Sequence, residues 1–126
     1  MTMFPSPETA TTAFSLKPRN PSYAVEGKDF TLKWIYSLHG NLNSAQFSKV
    51  NGTGNDPIGS RVGPGKINIT QKYEAHFRAQ AENTRAELTI LAVQLSDEGS
   101  FELTVVSNTT GAFSSDIIKV IVLCKY

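Results

Sequence analysis

Cysteine is nearly absent from this chain: among 126 residues, Cys124 is the only one. An internal disulfide is therefore excluded, and with it any small disulfide-stapled scaffold. Histidine is almost as scarce, limited to His39 and His76. Catalysis or metal ligation would need partners of suitable type around them. His39 sits in the turn-like LHGN and His76 in an alternating run, so both read as solvent or edge positions. No apolar run approaches the roughly 20 residues needed to span a bilayer. Strong charge of one sign is missing too. A formal net charge of +1 gives no general pull toward nucleic acid or anionic membrane. The opening MTMFPSPETATTAF lacks the basic and apolar regions of a signal peptide. Residues 1–12 are expected to be a loose N-terminal segment or an expression remnant, and 13–126 a single domain. No stretch of useful length carries a helical period.

What is present is alternation. The chain is 40% hydrophobic and 18% charged, enough apolar content at this length to bury one real core. β-Branched and aromatic residues recur between Gly, Asn, Pro and Ser punctuation, which is the strand-and-turn signature. AFSLKP (13–18) reads as a first edge strand. In DFTLKWIY (29–36), Phe30, Leu32, Trp34 and Tyr36 face one way while Thr31, Lys33 and Ile35 face the other. SAQFSKV (44–50) turns Phe47 inward. Residues 51–66 are so rich in Gly and Pro that only turns and one short edge strand are expected. INITQKYEAHFRAQ (67–80) supplies one or two strands, and RAELTIL (85–91) turns Leu88 and Ile90 inward. SFELTVVS (100–107) buries Phe101, Leu103 and Val105, leaving Glu102, Thr104 and Val106 outside. In SDIIKVIVL (115–123), a solvent-facing Lys119 sends Ile118, Val120 and Val122 into the core. Ile117, Ile121 and Leu123 then lie on the outer surface. About nine short strands of this kind specify an all-β sandwich.

Few motifs suggest chemistry. GPGK (63–66) has the wrong glycine spacing for a phosphate loop and Ile67 where Ser or Thr belongs, so it reads as a tight turn. Cys124 is expected to pair outside this sequence or stay idle. No enzymatic activity, cofactor, metal, small-molecule substrate or nucleic-acid partner is expected. Three Asn-x-Ser/Thr sequons, at Asn51, Asn68 and Asn108, fall at turns or strand ends and suit surface glycans. They point to an extracellular protein.

In LSDEGSFEL (95–103), the series Asp97, Gly99, Phe101 and Leu103 resembles the corner into strand F of an immunoglobulin V-set domain. The likeness runs in order along nearly the whole chain. Gly27, Phe30, Leu32 and Trp34 resemble strand B, with Trp34 at the first cysteine position. Phe47 lies where the strand C tryptophan belongs, and Leu88 with Ile90 resembles strand E. Leu103 stands at the second cysteine position. The resemblance implies an immunoglobulin-like β-sandwich of two antiparallel sheets in a Greek key. It also implies a salt bridge from Arg78 to Asp97 at the lower end. Losing the family's disulfide should cost about 2–5 kcal/mol. Burying a tryptophan is worth up to ~5 kcal/mol at 25 cal/mol/Å², so Trp34 packed on Leu103 and Phe47, with Phe101 alongside, is expected to act as the core pin.

NPSYAVEGKDFTLKWIYSL is similar to invertebrate V-set-like domains, above all cnidarian ones such as the outermost domains of hydrozoan allorecognition receptors. That resemblance implies the ectodomain of a type I membrane protein at the cell surface, meeting the same protein on an opposing cell. V domains commonly pair through the sheet carrying strands G, F, C and C′. Here it is expected to expose Gln46, Ser48, Glu102, Thr104, Val106, Ile117, Lys119 and Ile121, an apolar stripe ringed by polar groups. Glu102 and Lys119 either meet across a two-fold contact or pair within one domain. The alternatives are a heterophilic ligand-binding ectodomain, including that of a receptor kinase, and a structural spacer in an adhesion protein.

Overall fold

The structure, a computed structural model, describes residues 13–109, 111 and 113–124. The expectation for residues 1–12 lies outside the described residues. The described residues form ten strands: β1 (Ala13–Leu16), β2 (Ser22–Val25), β3 (Phe30–Ser37), β4 (Leu42–Asn51), β5 (Gly54–Val62), β6 (Asn68–Ile69), β7 (Phe77–Ala81), β8 (Arg85–Ile90), β9 (Gly99–Ser107) and β10 (Phe113–Leu123). The 3-10 turns Gln71–Tyr73 and Leu95–Asp97 join some of them. The strands form a four-stranded sheet, ordered β1-β3-β8-β7, and a six-stranded sheet, ordered β2-β10-β9-β4-β5-β6.

Alternation decides which side chains enter the space between the sheets. From the four-stranded sheet come Leu32, Trp34 and Tyr36 of β3 and Ala86, Leu88 and Ile90 of β8, all buried. The six-stranded sheet answers with Phe47, Phe101, Leu103, Val105, Ile118, Val120 and Val122. Trp34, Phe47, Phe101 and Leu103 are each 0% exposed, and the rings of Trp34 and Phe47 lie 6.0 Å apart.

Two features differ from the sequence reading. SYAV forms β2, which joins β10 in parallel, so the larger sheet is not wholly antiparallel. Four residues just after Pro18 and Pro21 carry little local signal, and β10 supplies the partner that makes them a strand. Residues 54–62 form a nine-residue strand, not a short edge. β5 pairs β4 along one side and the two-residue β6 on the other, with Ile58 anchored at 0% exposure. Pro57, which has no N–H to give a ladder, sits at the register shift opposite Phe47 and Ser48. Residues 67–80 supply two strands, split by a 3-10 turn in which Tyr73 donates its hydroxyl to Asp56 of β5.

Candidate protein-binding face

The outward residues of the six-stranded sheet form one continuous face. On β10 these are Phe113, Ser115, Ile117, Lys119, Ile121 and Leu123, and the adjoining β2 adds Tyr23 and Val25. Among the described residues, six of the eight exposed large hydrophobic side chains lie on it: Tyr23 (57%), Val25, Val62 (82%), Phe113 (69%), Ile117 (47%) and Leu123. A concentration of this kind on one side is what separates a contact surface from scattered exposed apolar residues. β2 pairs β10 only from Val120 to Leu123. Above that, the Asn20 side chain continues the edge: its amide donates to the Ile117 carbonyl at 3.4 Å and accepts the Lys119 N–H at 3.0 Å.

The face gathers the expected residues, with one exception. Gln46, Ile117 and Lys119 are exposed, and Glu102, Thr104, Val106 and Ile121 are partly so. Ser48 is 5% exposed and offers a partner almost nothing. It has the outward parity, but stands in register between Glu102 and Pro57, and a side chain this small is covered by such neighbours. Glu102 and Lys119 do not pair among the described residues. Glu102 lies opposite Ile117, and its carboxylate accepts from Asn55 Nδ2 of β5 at 2.6 Å.

Behind the face, two polar contacts tie the sheets together. The Trp34 indole Nε1–H donates to Asp116 Oδ2 of β10 at 2.8 Å, and Lys17 Nζ lies 3.7 Å from the other carboxylate oxygen. A buried indole N–H without a partner would cost roughly 1–3 kcal/mol. Asp116 shares the inward parity of Ile118, Val120 and Val122, a signal that sequence reasoning passed over. An acid on the inward register of a core strand requires a donor.

The second contact corrects the expected Arg78–Asp97 salt bridge. Asp97 is 5% exposed, and its two carboxylate oxygens lie 2.7 and 2.8 Å from His76 Nε2. One of them also accepts the Gln94 N–H at 2.7 Å. Arg78 is exposed in β7, in register with Thr89. Residues 76 and 78 share one side of the chain, and a two-residue step is about 6.6 Å along a strand. His76 is the one that comes level with the 3-10 turn holding Asp97. It is therefore neither a free surface nor an edge histidine, as the sequence suggested. At the same corner Phe101 lacks the hydroxyl that a tyrosine would bring. Lys49 Nζ lies 5.7 Å from its ring centroid and donates to the Ser96 carbonyl at 2.8 Å.

A third latch sits toward β6. Hydrogen bonds from Tyr73 and Lys72 hold the Asp56 carboxyl below its ordinary range, and the bond to Asp56 pushes the Tyr73 hydroxyl up to about 12. Burial raises the Tyr36 hydroxyl further; it donates to the carbonyls of Glu82 and Arg85 at 2.6 and 3.1 Å.

Sheet order, paired sheets and core together define an immunoglobulin-like β-sandwich, with β5 and β6 completing the larger sheet as in variable-type domains. Solved structures agree. The chain is similar to murine CRIg, with 18% identity, a TM-score of 0.75, and 89% of this chain and 98% of that one covered. A chicken T-cell receptor chain matches at 16% identity and a TM-score of 0.71, over 87% of this chain and 50% of that one. The titin domains Z1Z2 match at 18% and 0.64, over 90% and 48%. Identities this low establish the fold alone. No family profile matches the sequence, and no curated protein matches it.

Proposed function

We propose that this domain is an extracellular recognition module of a membrane-anchored cell-surface protein, and that it binds a second copy of itself through the outer face of the six-stranded sheet. The gathering of exposed apolar side chains on that face carries the reading. A two-fold contact presents the same patch twice, and an apolar patch is complementary to itself. Glu102 and Lys119, one charge of each sign, set the register when each meets the other's counterpart across the axis. Contact between opposing cells would make the domain a homophilic adhesion or allorecognition element, as the invertebrate resemblance implies.

Sedimentation velocity across a concentration series, with aggregation of coated beads, tests this directly. Self-association is expected, and Ile117→Asp or Ile121→Asp is expected to abolish it. A strict monomer at high concentration with inert beads would overturn the homophilic reading and leave a different protein partner or a spacer role. Association unaffected by both substitutions would move the contact to another surface.

A further inference from the structure

β1 covers only part of its neighbour. It pairs β3 at Ile35, Tyr36 and Ser37, and past Leu16 the chain crosses to the other sheet to become β2. From Phe30 to Trp34, β3 has β8 on one side and, among the described residues, no strand on the other. The Tyr36 N–H donates to the Thr84 carbonyl, on the β8 side, at 2.9 Å. Backbone groups of successive residues alternate in direction along an antiparallel ladder. Those of Leu32 and Trp34 therefore also point toward β8, while the N–H and C=O groups of Thr31 and Lys33 point to the open edge. Unpaired groups in such a row are a template for an added strand.

Beside this edge lies a groove of about 460 Å³, bounded by β3 and by the crossing segment 16–23. That volume is within the range of ligand pockets. Among the described residues its lining holds Lys17, Arg19 and Lys33 and no carboxylate, together with Leu16, Tyr23 and Phe30. Acids stand beside two of the cations but have other partners. Asp116, 3.7 Å from Lys17 Nζ, also holds the Trp34 indole, and Glu87, in register with Lys33, accepts from Gln80. Arg19 has no ion pair among the described residues. Leu16 is 46% exposed and lies off the face assigned to self-contact.

We propose that this groove binds an extended acidic segment of a partner protein, which adds to β3 as an antiparallel strand. The segment continues the line that β1 leaves at Leu16, and its backbone pairs with Thr31 and Lys33. Main-chain pairing supplies affinity and alternate side chains supply specificity. Residues beside Thr31 and Lys33 point outward, where carboxylates meet the positive wall. Residues between them point inward beside Phe30 and are apolar. Charge decides against a second copy joined edge to edge, because Lys17, Arg19 and Lys33 would then face their own counterparts. The groove shares Tyr23 with the self-contact face, but neither reading requires the other.

The test titrates isotope-labelled protein with a blocked hexapeptide alternating glutamate and valine, followed by NMR and amide hydrogen exchange. Saturable binding is expected, with exchange at Thr31 and Lys33 slowed at least about tenfold in the complex. Arg19→Glu should weaken binding at least about tenfold at matched melting temperature, and Ile117→Asp should leave it unchanged. N-methylation of the glutamate residues, which leaves the protein untouched, should also weaken binding at least about tenfold. No binding at millimolar peptide, or binding that leaves both amides in fast exchange, would overturn the proposal. Equal binding by Arg19→Glu, or by a lysine–valine peptide, would overturn it too. A heparin fragment that binds saturably where the peptide does not would give the cations to an acidic polysaccharide and sink strand addition. None of these outcomes bears on self-association, which sedimentation of the Ile117→Asp variant tests separately.

Discussion

The two outer faces of this sandwich are built from the same alternating code, yet they present opposite chemistries. On the four-stranded sheet the outward groups satisfy one another. Thr31 and Thr89 hydroxyls meet at 2.8 Å, Gln80 Nε2 donates to Glu87 at 3.0 Å, and Lys33 lies in register with Glu87. On the six-stranded sheet the outward row of β10 and β2 runs through Phe113, Ile117, Leu123, Tyr23 and Val25, which have no equivalent means of being satisfied in water. Alternation says that a strand has an outside. What stands there decides whether that outside is finished or waits for a partner. A polar cross-strand pair completes itself within one domain, whereas an exposed isoleucine is completed only by another apolar surface.

The largest effect is expected from removing what holds both faces to a common core. Trp34→Ala should lower stability by about 3–5 kcal/mol in denaturant titrations, through the cavity left behind. Trp34→Phe separates the ring from its hydrogen bond and should cost less, roughly 1–3 kcal/mol for the unpaired Asp116 acceptor. A Trp34→Ala loss below about 1 kcal/mol would show that the pin lies elsewhere. The lower corner comes next. His76→Ala should cost about 1–3 kcal/mol by stripping a donor from buried Asp97, whereas Arg78→Ala, on the finished face, should stay within about 0.5 kcal/mol. Equal losses would restore the arginine to the corner.

The faces themselves are compared through binding. Ile117→Asp should weaken self-association at least about tenfold, or about 1.4 kcal/mol, while Thr89→Asp on the opposite face should leave sedimentation unchanged. The reverse result would exchange the roles of the two sheets. The smallest effect concerns the latch beside β6. Tyr73 has a raised value when folded, so its contribution is whole below the ordinary tyrosine range and lost as pH rises through about 12. Asp56 is depressed, so its contribution is present above the ordinary carboxylate range and lost as pH falls through its lowered value. Tyr73→Phe should remove one late step from the alkaline phenolate absorbance titration and blunt both pH dependences. An unchanged titration would mean that the Tyr73–Asp56 bond is not formed in solution.

Much of this was legible before any coordinates. Parity alone placed Leu32, Trp34, Phe47, Leu103, Ile118 and Val120 inside and Ile117 and Lys119 outside, because the pleat gives each strand residue only two directions. Other features were not legible, each for a physical reason. β2 is four residues long and exists through its pairing with β10, about a hundred residues away in sequence. Ser48 obeyed parity but was covered by its neighbours on two adjacent strands. The partner of Asp97 depended on how far β7 had advanced when the 3-10 turn arrived beneath it, a distance that no local pattern encodes.

By itself, then, the sequence determined the layered all-β architecture, the inward and outward set on each long strand, and the impossibility of an internal disulfide, since these follow from side-chain period and residue count. Only the tertiary structure decided that Asp116 answers the Trp34 indole, that His76 rather than Arg78 meets Asp97, and that the exposed apolar residues of three separate strands share one face. Those contacts join residues far apart in the chain, and their geometry comes from packing two sheets together rather than from any local preference.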